Sequence, residues 1–141
     1  MDPSSELVLG QNSKPYQAAT EKWKENPASD STTFKPFILI DGNFRALVMF
    51  NHAMAFKSDI FAERSREGWT GNGDDWTSIA QVLVADEIPL CAEKITYDSD
   101  ADIFSASGSR FILEKLGAKL QAIFQNDDAI RKLMSRVKVN L

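Results

Sequence analysis

The segment Glu67-Gly68-Trp69-Thr70-Gly71-Asn72-Gly73-Asp74-Asp75-Trp76 sets three glycines and two tryptophans around a pair of carboxylates, directly ahead of a run with helical spacing. Gly71, Asn72 and Gly73 tolerate positive φ, so the backbone can turn sharply here. Asp74 or Asp75 can then accept hydrogen bonds from the free amides of a helix's first turn. Trp76, Ile79, Ala80, Leu83 and Val84 recur at i, i+3, i+4, i+7 and i+8, which predicts a helix with one buried face. Trp76 is thus expected in the core, and Trp69, outside that periodicity, on the surface.

The flanking sequence supplies partners for this helix. Phe37-Ile38-Leu39-Ile40 is an apolar run, Asp41-Gly42-Asn43 is turn chemistry, and Phe44, Ala46, Val48 and Phe50 alternate after it, so a β-hairpin is predicted. Phe56, Ile60, Phe61 and Arg64 have helical spacing and predict a helix leading into the glycine loop. Ile88-Pro89-Leu90 ends the Trp76 helix, because proline lacks the amide and restricts the residue before it. Ile95 and Tyr97, the turn Asp98-Ser99-Asp100, and Ile103-Phe104-Ser105-Ala106 read as a second hairpin. From about Ser109 a helix face runs through Leu116, Leu120 and Phe124 to a stop at Asn126-Asp127. Asp127 or Asp128 then caps a last helix carrying Ile130, Leu133, Met134 and Val137. The order is ββααββαα, an α+β fold with one antiparallel sheet and helices packed on one face.

Residues 1–35 are polar and broken by Pro3, Pro15 and Pro27, with a linker-like Ser29-Asp30-Ser31-Thr32-Thr33, and read as a flexible N-terminal arm ahead of a single domain at 36–141. Within the arm, Tyr16 to Lys24 has the spacing of a short helix with Tyr16, Ala19 and Trp23 on one side, able to fold back onto the body. A chain of 141 residues, 43% apolar, is sufficient for a real core. Cys91 is the only cysteine, which excludes an internal disulfide framework and points to a reducing compartment. Met1 to Gly10 lacks a basic start followed by an apolar run, and no window is long enough to span a bilayer, so a cytoplasmic protein without membrane contact is expected.

Charge is distributed unevenly. Asp59 to Asp102 holds eleven acids and three bases, whereas Ile103 to Leu141 holds seven bases and three acids. An acidic half repels a phosphate backbone, so nucleic acid is not an expected partner, and a basic protein is.

Catalytic constellations are sparse. His52 is the lone histidine, which removes two-histidine metal sites, and no serine stands in a G-x-S-x-G elbow. Asp98, Asp100 and Asp102 match the first three ligand positions of a calcium loop, but Ile103 replaces its glycine and Ser109 its bidentate glutamate. There is no phosphate-binding glycine loop. Cys91 lacks a neighbouring histidine and reads as a core residue. No cofactor, metal or catalytic residue is expected, and the inventory favours binding over turnover.

Two motifs in this order, Gly71-Asn72-Gly73-Asp74-Asp75-Trp76 opening a helix and Tyr97-Asp98-Ser99-Asp100-Ala101-Asp102-Ile103-Phe104 before a strand and a long helix, resemble immunity protein family 51 of bacterial polymorphic toxin systems. Gly71, Gly73, Asp75 and Trp76 fall on that family's first element, and Asp98 and Phe104 on its second. Position 74, where the family's segment carries an aromatic, is Asp74 here. The resemblance covers roughly Phe37 to Val137. It implies a protein that binds and neutralises a cognate toxin, often a nuclease with a basic catalytic domain. The partner-binding set expected is Trp69, Asp74, Asp75, Asp98, Asp100 and Asp102, with Gly71, Asn72, Gly73, Trp76 and Phe104 as structural motif residues. Two alternatives remain open at this point: a metal-dependent hydrolase using the clustered aspartates, and an adaptor or chaperone for a secreted effector.

Overall fold

A computed structural model describes residues 29–137. The element order is β1 (Ile38–Asp41), β2 (Arg45–Phe50), α1 (Asn51–Met54), α2 (Ser58–Ala62), α3 (Gly73–Glu87), β3 (Thr96–Tyr97), β4 (Ile103–Ser107), α4 (Arg110–Phe124) and α5 (Asp127–Arg136). Single 3-10 turns fill Ala55–Lys57, Ser65–Glu67 and Pro89–Lys94. The fold is α+β. Among the described residues the strands form one antiparallel sheet in the order β1-β2-β4-β3, with Ile38 opposite Val48 and Met49 opposite Phe104.

Both predicted hairpins are present. Period-2 alternation sends Leu39, Leu47, Met49, Phe104 and Ala106 to one face of the sheet, where they join the helices' apolar residues in one core. At its centre Trp76 is fully buried among Phe37, Phe61 and Phe124, with ring centroids 5.6–6.3 Å away. Its indole Nε1–H has no acceptor among the described residues, a cost of about 1–3 kcal/mol that the ring packing has to outweigh. Ile38, Ile40, Ala46 and Val48 form a separate buried cluster on the opposite face.

Several local expectations differ from the structure. The helix predicted between Ala53 and Glu67 is broken into short pieces, and Phe56, expected on its buried stripe, is 80% exposed. The last helix is capped by Asn126, whose side chain accepts from the Ala129 amide, rather than by Asp127 or Asp128. Asp127 instead takes Lys57 at 2.9 Å, and Asp128 takes Arg131 at 2.8 Å. His52 is exposed in α1 and stacks on Phe50.

Residues 29–35, read as part of the arm, are held to the body. Asp30 exchanges backbone hydrogen bonds with Leu39 at 2.8 and 2.9 Å, and Phe34 is buried against Gly117 of α4. Hydrogen bonds from Thr33 and Thr32 hold the Asp30 carboxyl down at about 2. The helix predicted for residues 16–24 lies outside the described residues. No helix among the described residues is long and apolar enough to cross a membrane.

Candidate functional site: an acidic rim at the start of α3

The glycine loop and the aspartate turn, apart in sequence, meet in the fold. The Gly73 amide donates to the Ala101 carbonyl at 3.2 Å. A Cβ on Gly73 would lie 2.1 Å from the Asp100 carbonyl oxygen and 2.3 Å from that of Ile103, so only glycine fits. Thr77, one turn into α3, donates to Ser99 at 2.7 Å, and Ser99 accepts from the Ser105 amide at 2.9 Å. The N-terminus of α3 is thereby fastened to the β3–β4 turn, the segment that carries Asp98, Asp100 and Asp102.

Within the loop the roles differ from those expected. Asn72, not Asp74 or Asp75, caps α3, accepting from the Asp75 amide at 2.9 Å. Asp75 reaches backwards: its carboxylate accepts from the Thr70 and Gly71 amides, each at 2.7 Å, and closes the loop on itself. It is half-buried and serves the loop, not the open surface. Gly71 has φ 81° and lies under the Phe61 ring, two requirements that glycine alone meets.

Trp69, expected as an exposed anchor, is 6% exposed and packs on Phe61 with ring centroids 5.8 Å apart. It is a core residue. The break in the preceding helix turns the chain inward through Gly68, at φ 97°, and no periodicity in the sequence announces that turn. Phe104, fully buried, is structural as expected.

Asp74, Asp98, Asp100 and Asp102 are exposed. Asp100 shapes its own turn, its Oδ1 accepting from the Asp102 and Ile103 amides at 2.8 and 3.1 Å. Asp102 accepts from Asn51 Nδ2 at 3.4 Å, which ties the start of α1 to the turn. Among the described residues no three Asp, Glu, His or Cys side chains are grouped to hold a metal ion, which leaves the hydrolase alternative without a ligand set there.

Of the eleven acids between Asp59 and Asp102, four gain ion pairs and seven, Asp59, Asp75 and Glu93 among them, have none among the described residues. Glu63 pairs with Arg131, Glu67 with Arg64, Asp86 with Arg136 and Glu87 with Lys119. Three of those four cations come from the basic C-terminal segment, which thereby neutralises part of the acidic one. The hydrogen bonds from Arg131 hold the Glu63 carboxyl below its usual range, and those from Arg64 do the same for Glu67. Asp74, Asp98, Asp100 and Asp102 have no ion pair among the described residues. All four sit on the two segments that the Gly73 contact joins.

A protein-family model described as Immunity protein 51 matches residues 37–139, and the chain belongs to that family. It is an immunity protein, whose role is to bind a cognate toxin. No curated protein and no solved structure matches it.

Proposed function

We propose that this immunity protein neutralises a toxin whose catalytic domain is basic, a nuclease of a polymorphic toxin system, by seating the rim of Asp74, Asp98, Asp100 and Asp102 on the toxin's phosphate-binding cations. The observation that supports this reading is that those four carboxylates, on the helix start and the turn that Gly73 joins, are exposed and have no ion pair among the described residues, where eight other acids do. A nuclease cleft holds cations for phosphates, and carboxylates presented to them steer association and exclude the substrate. Inhibition is by occlusion, in the producing cell's cytoplasm, without chemistry on the toxin.

Exposed charge raises on-rate more than affinity, so tight binding also needs an apolar anchor. Phe56 takes the place first assigned to Trp69. It is 80% exposed and lies five residues beyond Asn51, whose side chain binds Asp102, a separation from Asn51 of roughly 10 Å along the helical rise.

The test pairs the protein with the toxin domain encoded beside it. Asp74→Lys, Asp98→Lys and Asp102→Lys avoid the loop-forming Asp75 and the turn-forming Asp100. Each is expected to raise Kd by roughly tenfold, chiefly through a slower on-rate, and to flatten its dependence on salt. A triple variant that binds as tightly as the parent removes the rim from the interface and leaves the family membership untouched. Growth rescue during toxin expression separates inhibition from a chaperone role.

A further inference from the structure

The face of α3 that carries Asp74 runs on into an open groove. Asp74, Ser78, Gln81 and Ala85 recur at i, i+4, i+7 and i+11, so they share one side of the helix, and the Ser78 hydroxyl donates to the Asp74 carbonyl at 3.4 Å. From Ser78 onward this side borders a cavity of about 410 Å³ between α3 and the end of α5. Val82 and Val137 are half-buried, packed against the core on one side and lining the cavity on the other. Gln81 and Ala85 line it from exposed positions. Asp86 and Arg136, also in its lining, pair with each other.

We infer that this groove receives an apolar side chain of the toxin, from a segment that also carries a Lys or Arg to meet Asp74. The choice of occupant rests on the contact proposed above for Asp74. Two observations support it. The first is continuity: a partner seated on Asp74 and extending along α3 meets the groove next, since Val82 lies eight residues on, about 12 Å along the helix axis. The second is a gradient of charge. Asp74 has no ion pair among the described residues, whereas Asp86 is neutralised by Arg136 inside the groove, so the first position calls for a cation and the second does not. Between them the Gln81 amide can donate and accept, which suits the backbone of an extended peptide. Such a peptide covers 12 Å in about four residues, so the matching segment sets its basic and apolar side chains about four positions apart. Burial of that apolar group supplies affinity that exposed carboxylates do not. Phe56 offers the toxin an anchor, and the groove accepts one from it.

Binding kinetics of the full chain with the toxin domain encoded beside it test the groove. Ala85→Phe and, separately, Gln81→Phe bring a ring to the groove from exposed positions and leave Asp74 in place. Each is expected to raise Kd by roughly tenfold through a faster off-rate, with on-rate and salt dependence unchanged, the reverse of the lysine variants at the rim. Parent-like kinetics in both phenylalanine variants overturn the inference, and if the lysine variants still weaken binding, the rim stands without the groove. Weaker binding by the phenylalanine variants alone upholds the groove and removes the rim. Thermal scans should place both within about 4 °C of the parent, and a larger fall in both makes the groove part of the core and overturns the inference. Self-association of the parent that either variant abolishes, read by sedimentation, makes a second copy the occupant and overturns it too.

Discussion

The glycine loop, Trp69 to Trp76, and the aspartate turn, Asp98 to Asp102, lie against each other, yet they use their side chains in opposite ways. The loop spends nearly everything inward: both tryptophans are buried, Asn72 caps α3, and Asp75 satisfies two amides of its own loop. The turn presents Asp98, Asp100 and Asp102 to solvent and keeps only its base, Tyr97 and Phe104, against the core. One segment builds the joint and the other displays charge on it. A residue type in a motif is therefore no guide to its role until its hydrogen-bond partners are known.

The contrast can be broken hardest at Trp69. Trp69→Ala is expected to cost about 3–5 kcal/mol of stability, measured by denaturant unfolding, with toxin affinity per folded molecule unchanged. Next, Gly73→Ala pushes a methyl into two backbone carbonyls that cannot withdraw, and a loss of about 3 kcal/mol is expected. A thermal scan that places this variant within a degree or two of the parent contradicts the joint. Phe56→Ala has the reverse signature of Trp69→Ala. Its stability stays within about 0.5 kcal/mol of the parent, while calorimetry with the toxin loses about 1–2 kcal/mol of binding free energy.

The smallest effect is at the base of the turn. Burial pushes the Tyr97 phenol up from 10 to about 12. Its folded pKa exceeds the unfolded one, so the contribution is fully present below pH 10 and is lost as pH rises toward 12. Ultraviolet titration of the folded protein should show this phenol ionising near 12, and Tyr97→Phe should remove the step.

The hairpins and the two long helices could be read in the sequence because each is set by local rules: an apolar run at Ile38–Ile40, turn residues at Asp41-Gly42-Asn43, 3.6-residue spacing through α3 and α4, and Ser109 and Pro89 as boundary markers. What could not be read depends on geometry between distant segments. Asn72, Asp74 and Asp75 are all competent caps, and only the loop's path chooses Asn72. The burial of Trp69 depends on Phe61, which arrives from a helix that breaks. The acidic half looked like one surface because Arg131, Arg136 and Lys119, which neutralise part of it, lie dozens of residues away. Of the expected contact set, Asp74, Asp98, Asp100 and Asp102 remain at the rim, whereas Trp69 and Asp75 belong to the scaffold.

The zero clearance at Gly73 has an evolutionary consequence. It welds the loop and the turn into a single casting whose spacing cannot drift, while the outward groups mounted on it can be exchanged one at a time. Under the contact proposed above, a lineage facing an altered toxin can retune its inhibitor by swapping what sits at positions 74, 98 and 102, without recasting the support beneath them.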